Sequence, residues 1–125
     1  MLDIRQVKFS IVRTPTERML RMDEVGDYFE NQVIAYDTGI GLYNQMILLH
    51  ELVEYFLITL KGLRWQDIDL FDRIKKRKEL LSKFPRAKYY LKANKVALNL
   101  EKQIIEFLEQ DWKEYDGFIR SIRIS

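Results

Sequence analysis

The chain has 125 residues, of which 47% are hydrophobic and 32% are charged, and its formal net charge is +2. This length and balance are typical of one globular domain and exclude a disordered chain. The chain contains no cysteine, which excludes a disulfide framework, a thiolate metal site and a cysteine nucleophile.

The start of the sequence and its longest apolar stretch indicate where in the cell the protein is expected. No charged start followed by an unbroken apolar run is present, so no signal peptide is expected. The stretch at residues 46–60 is interrupted by His50, Glu51 and Glu54, which argues against a membrane span. We therefore expect a cytoplasmic protein with no membrane partner.

The first third of the chain has strand patterns. Val7, Phe9 and Ile11 alternate with polar residues, which predicts a strand within residues 1–12. Two more strands are predicted at residues 25–29 and 33–36, joined as a hairpin. Residues 16–24 are ambiguous. The pattern therefore predicts a small antiparallel β-element over residues 1–38.

In the remainder of the chain, apolar residues recur with the spacing of a helix. It predicts three helices in succession, over residues 43–61, 66–83 and 87–109. Gly62 caps the first helix, and the second ends before Pro85. Asp111 and Glu114 form a capping box that opens a short terminal helix.

The order of these elements predicts the fold class. We expect one α+β domain over residues 1–125 that is mostly α. Its N-terminal antiparallel β-element is followed, over residues 43–125, by a three- to four-helix bundle.

The basic residues are unevenly placed along the chain. Five of them lie within residues 73–78, and Asp67, Asp69 and Asp72 precede them. On a single helix, acids near the start and bases near the end suit the helix dipole. The pattern therefore favours a solvated helix face over a phosphate-binding patch, and nucleic acid is not an expected partner.

The first long helix carries a narrow polar wedge within its apolar surface. His50 and Glu54 are four residues apart and share a face, and Glu51 lies about 60° further round. One alternative is that the wedge is the solvent side of an amphipathic helix. The other is that it faces a second helix, in which case its carboxylates need a cation or hydrogen-bond donors.

The helix predicted at 87–109 also carries polar residues beside its apolar stripe. Asn94 and Glu101 are seven residues apart, and the small residue Ala97 between them allows a partner helix to approach closely. If the two helices pack together, Asn94 and Glu101 meet His50 and Glu54. One imidazole, two carboxylates and an amide oxygen can hold a divalent metal such as zinc, manganese or magnesium.

The string His50-Glu51-x-x-Glu54 is close to the His-Glu-x-x-His motif, in which two histidines bind zinc and the glutamate acts as base. Here Glu54 replaces the second histidine, and the chain has no other histidine. Glu51 is the candidate catalytic residue if the site has an activity. The strand-then-helix order looks like the front half of a zincin peptidase.

Several stretches occur together in a familiar order. They are residues 25–28, 48–54, 68–72, 85–90 and 111–116. This ordered set resembles a family of small uncharacterised proteins of phages and prophages. In that family a histidine is followed by an alanine three residues later and a glutamate four beyond that. The corresponding positions are Asn94, Ala97 and Glu101, so the family histidine is replaced here.

The resemblance implies where a site would lie but implies no reaction. Its residues are His50, Glu54, Asn94 and Glu101, with Asp72 as a weaker candidate. Asparagine offers only a neutral oxygen in place of imidazole, so metal binding is less favoured in this chain than in the family.

Three functions follow from these patterns. The preferred one is a non-catalytic helical module of phage or prophage type that acts through a protein partner, since the ligand set is incomplete. The second is a divalent-metal-binding domain with a degenerate zincin-like site at His50, Glu54 and Glu101. The third resembles the all-α NTP pyrophosphatases, with magnesium held by the pairs Glu51/Glu54 and Asp69/Asp72.

Overall fold

A three-stranded sheet occupies the N-terminal third of the chain. In the computed structural model, which describes residues 1–122, the strands are β1 (Lys8–Val12), β2 (Gly26–Phe29) and β3 (Gln32–Tyr36). The predicted β2–β3 hairpin is antiparallel, whereas β1 pairs with the other side of β3 and runs parallel to it. The expectation of an entirely antiparallel element is therefore wrong for β1. Strand β3 lies in the middle of the sheet. It is antiparallel to β2 across the hairpin and parallel to β1 on its other side, so β1 and β2 run in opposite directions.

The ambiguous segment before the hairpin forms a short helix, α1 (Glu17–Met22). Thr16 caps it by accepting a hydrogen bond from the Met19 backbone N–H at 3.2 Å. Met19 is buried against the sheet beside Ile34.

Within residues 1–122, five helices follow the sheet. They are α2 (Gly41–Leu60), α3 (Trp65–Phe71), α4 (Arg77–Lys83), α5 (Ala87–Phe107) and α6 (Trp112–Ser121). Helix α2 packs on β2 and β3 on one side and on α5 on another. The molecule is therefore α+β and mostly α, as the sequence predicts.

The predicted helix over 66–83 is wrong, because residues 72–76 interrupt it. Asp72 accepts a hydrogen bond from the Tyr90 hydroxyl at 2.7 Å, and Ile74 packs on the central core. A continuous helix would place these two residues about 200° apart. Both side chains turn inward only if the helix ends between them. The cations at 73–78 consequently lie in the connection and at the start of α4.

Within residues 1–122, no helix is long and apolar enough to cross a membrane.

Candidate functional site

The polar wedge of α2 is buried. Glu51 is 8% exposed and Glu54 is 6% exposed, since the sheet and α5 cover α2 on different sides. The alternative in which the wedge is the solvent side of an amphipathic helix is therefore wrong. The wedge faces other elements of the fold, where charged groups require partners.

Glu101 of α5 meets His50, as the sequence predicts. One carboxylate oxygen of Glu101 contacts His50 Nδ1, and the other accepts a hydrogen bond of 2.6 Å from the Tyr115 hydroxyl of α6. Burial lowers the pKa of His50, but the contact with Glu101 and the charge of Glu54 outweigh it, so the pKa is raised. Glu101 thus fixes the orientation of the imidazole through its contact with Nδ1.

The second imidazole nitrogen is aimed at Glu54. His50 Nε2 lies 3.9 Å from Glu54 Oε1, which is too long for a hydrogen bond. Two adjacent ligand atoms bound to one metal at about 2.1 Å lie about 3.4 Å apart in a tetrahedral site and about 3.0 Å apart in an octahedral one. The pair would therefore have to close by about 0.5 to 0.9 Å to bind one metal.

The Glu51 side chain packs against the sheet and reaches the pocket. The residue is 8% exposed, Gly26 of β2 lies directly against it, and its carboxylate forms no hydrogen bond within residues 1–122. Burial, followed by the charges of Glu54 and Glu24, raises its pKa well above the ordinary value. A carboxyl group in this state either keeps its proton or requires a cation beside it.

More carboxylates surround a small cavity on the sheet side of Glu51. Glu24, Asp72 and Glu54 line this cavity together with the Tyr28 and Tyr90 side chains. Burial raises the pKa of Glu54 to about 7, partly offset by His50. Partial burial, followed by the charges of Asp72 and Glu54, raises the pKa of Glu24, although much of this residue is exposed to solvent. The carboxylates are thus too close together for all of them to be ionised at neutral pH.

Asp69 does not share in this crowding, because Arg18 of α1 binds it. The guanidinium donates to both oxygens of Asp69, at 2.6 and 2.8 Å, and to both oxygens of Asp27, at 2.8 and 3.3 Å. It also lies about 5 Å from the ring centres of Phe29 and Trp65. A pyrophosphatase-like hydrolase would use the pair Asp69/Asp72 to bind magnesium. The oxygens of Asp69 are bound by Arg18 instead, whereas Asp72 faces Glu54 across the small cavity.

A pocket of about 300 Å³ opens between α2, α5 and α6. His50, Glu51, Glu54 and Glu101 lie on its wall with Asn94, so most of the predicted site residues are brought together. Asp72 is separate and lies on the neighbouring small cavity.

The sequence did not predict several residues of this region. They are Tyr115 and Trp112 of α6, Tyr90 of α5, and Glu24 and Tyr28 near β2. The apolar spacing of α6 contains a usable signal, because Trp112, Tyr115 and Ile119 share one face. Glu24 and Tyr28 carry no such signal, since only the tertiary fold brings β2 beside α2.

Within residues 1–122, no three histidine, aspartate or glutamate side chains are already arranged to hold a metal ion. Comparison with protein-family models, curated proteins and solved structures gives no match for the chain. The phage-type relationship therefore stays an expectation, and the function has to be inferred from the site itself.

Proposed function

We propose that this protein is a divalent-metal-binding domain whose metal site is the His50–Glu54 pair. The observation that carries the proposal is the orientation of the imidazole. Glu101 contacts Nδ1, and Nε2 is aimed at Glu54 across 3.9 Å. Histidine ligands of metals typically donate the other ring N–H to a carboxylate, which fixes the ring and its tautomer.

Glu51 supplies an independent reason for a cation. The residue is 8% exposed, its carboxylate forms no hydrogen bond within residues 1–122, and it lines the same pocket as His50 and Glu54. Rotation of Glu51 towards Glu54 would provide a third ligand. In this arrangement Glu101 orients the histidine rather than binding the metal.

The donor set favours manganese among the three metals considered. One imidazole and two carboxylates combine a nitrogen that zinc also accepts with the oxygens that manganese and magnesium prefer. A metal with open positions facing a pocket supplies Lewis-acid chemistry and a water of lowered pKa. In this arrangement Glu51 would bind the metal rather than act as the catalytic residue that the sequence suggests, and Asn94 would supply a neutral hydrogen-bonding group beside it.

A helical module that acts only through a protein partner is the alternative. It requires no cation at Glu51, and in it the imidazole is aimed at Glu54 only by the attraction between a protonated His50 and the carboxylate. A pyrophosphatase-like site is less favoured, because Arg18 binds Asp69.

Calorimetric titration with Mn²⁺, Zn²⁺ and Mg²⁺, combined with thermal unfolding in EDTA and in each metal, tests the proposal. Metal at a hundred times its dissociation constant stabilises by about 2.7 kcal/mol, which raises Tm by about 10 °C at this chain length. We expect this rise with Mn²⁺, and its loss in Glu54→Gln and His50→Gln.

Glu106→Gln is the matched control, because Glu106 is an exposed carboxylate of α5. Circular dichroism establishes that each variant is folded. Millimolar metal without effect on the natural chain, or an equal effect on Glu54→Gln and Glu106→Gln, would contradict the proposal and favour the partner-binding alternative.

A further inference from the structure

Positive charge is concentrated in one part of the chain. Residues 61–95 contain twelve Lys and Arg but only four Asp and Glu, a net charge of +8. The remainder of the chain contains nine basic and fifteen acidic residues, a net charge of −6. All twelve of the basic residues are exposed. The molecule is therefore strongly polarised, although its net charge is only +2.

Ten of these cations define what we call the basic face. They are Lys61, Lys75, Lys76, Arg77, Lys78, Lys83, Arg86, Lys88, Lys92 and Lys95. Direct contacts connect its centre: Lys61 Nζ and Lys88 Nζ both lie about 5 Å from the centre of the Tyr89 ring. Arg86 donates to the Lys61 carbonyl, which ties the end of α2 to the start of α5.

The basic face extends in both directions from this centre. Lys92 and Lys95 follow Lys88 on α5 at spacings of four and seven residues, so they lie on the same side of the helix. Helix α4 is seven residues long, so the cations at its start lie about 10 Å from Lys83 at its end. The cations of α4 and α5 thus lie on two helices that pack against each other.

Two of the ten cations have a role within the fold: Arg86 donates to the Lys61 carbonyl, and the charge of Lys75 acts on Glu24 and Asp72. The other eight are not explained in this way. Within residues 1–122, none of the ten cations forms an ion pair with a carboxylate. Lys76, Arg77 and Lys78 are the N-cap and first two residues of α4, at the positive end of the helix dipole. The dipole would favour these charges at the end of a single long helix, but the helix is interrupted before them.

We propose that the basic face binds the phosphate backbone of nucleic acid without regard to base sequence. Lysine and arginine that neutralise phosphates supply most of the affinity in such binding. The net charge of −6 on the rest of the chain steers a polyanion towards this face and away from the carboxylate pocket. The proposal does not depend on metal binding.

An anionic membrane fits this surface less well than nucleic acid does. Membrane-surface helices combine cations with large apolar side chains that insert between lipids. The aromatic residues within the basic face, Phe84 and Tyr89, are partly buried against the core instead. Tyr89 keeps an edge at the surface among the cations, where a base of a single strand can contact it.

Fluorescence anisotropy of a labelled 25-mer of random sequence, as duplex and as single strand, tests the proposal. The full chain is titrated in EDTA between 50 and 200 mM KCl. The test variant carries Lys78→Gln, Lys83→Gln, Lys88→Gln and Lys92→Gln. The control variant carries Lys8→Gln, Arg13→Gln, Arg21→Gln and Lys113→Gln, which are exposed cations outside the basic face.

We expect binding that weakens steeply with salt. The plot of log affinity against log salt should become shallower by about 0.9 for each removed cation that contacts a phosphate. At 100 mM KCl, affinity should fall at least about tenfold in the test variant and less than about twofold in the control. Equal losses in both variants, or no salt-dependent binding, would overturn the proposal. Binding to phosphatidylserine vesicles without binding to nucleic acid would overturn it in favour of a membrane.

Discussion

Gly26 of β2 and Glu51 of α2 are in direct contact. A Cβ added to Gly26 would lie 2.7 Å from both Cγ and Oε1 of Glu51, and 2.8 Å from a methyl group of Ile47. Side-chain carbons do not approach this closely, so only glycine allows the sheet and α2 to come together here. This contact holds the Glu51 side chain between the sheet and the pocket.

Gly26→Ala should therefore destabilise the protein by about 2 kcal/mol, because α2 or β2 has to move. It should also weaken Mn²⁺ binding if Glu51 is displaced from the pocket. Urea unfolding and calorimetry measure the two effects. Gly41→Ala is the control, since nothing lies within 4 Å of a Cβ at that position. An unchanged unfolding midpoint for Gly26→Ala would show that the contact is easily relieved.

The metal-free protein should lose stability as pH rises from 5 to 8. The pKa of Glu54 is about 7, against 4.5 in the unfolded chain, so the folded state holds more protons across this range. The pKa of Glu24 is also raised, but this residue is exposed and contributes less. The raised pKa of His50 acts in the same direction. Glu54 alone should contribute a decrease of about 2 kcal/mol in the free energy of unfolding.

Urea unfolding in EDTA at pH 5, 6.5 and 8 measures this dependence. Glu54→Gln should flatten the curve and should be the more stable protein at pH 8, whereas Glu106→Gln should leave the curve unchanged. A natural chain that is more stable at pH 8 than at pH 5 would contradict the crowding of carboxylates.

Arg18→Met should destabilise the protein by about 3 kcal/mol. The substitution keeps the apolar contacts with Trp65 but leaves Asp27 and Asp69 without their cation, with side chains only 14% and 19% exposed. Arg21→Met on the same helix is the control, because Arg21 is exposed, and it should change stability by less than about 0.5 kcal/mol. Similar unfolding midpoints for both variants would show that the guanidinium is not needed to join α1, β2 and α3.

Tyr115→Phe should reduce both stability and metal affinity. It removes the hydroxyl that donates to Glu101, at a cost of about 1 kcal/mol, while the ring keeps its contact with Tyr43. Because Glu101 positions His50, Mn²⁺ affinity should fall about tenfold. Tyr89→Phe is the control. Loss of stability with unchanged Mn²⁺ affinity would mean that Tyr115 has only a structural role.

The helices α2 and α5 and the β2–β3 hairpin follow from sequence alone. Each depends on a local repeat of apolar residues, which is a property of neighbouring positions. The meeting of His50 and Glu101 is also predictable, since the small residues of α5 allow it to pack closely on α2.

The partners of the individual charges were decided by the tertiary structure. Arg18 binds Asp69 across 51 positions, Glu51 packs against Gly26, and β1 pairs with β3 rather than with its neighbour in sequence. The interruption at residues 72–76 likewise depends on Tyr90, in a different helix. No local periodicity encodes these contacts. They arise because burying the apolar faces of the helices and sheet together leaves particular polar groups side by side.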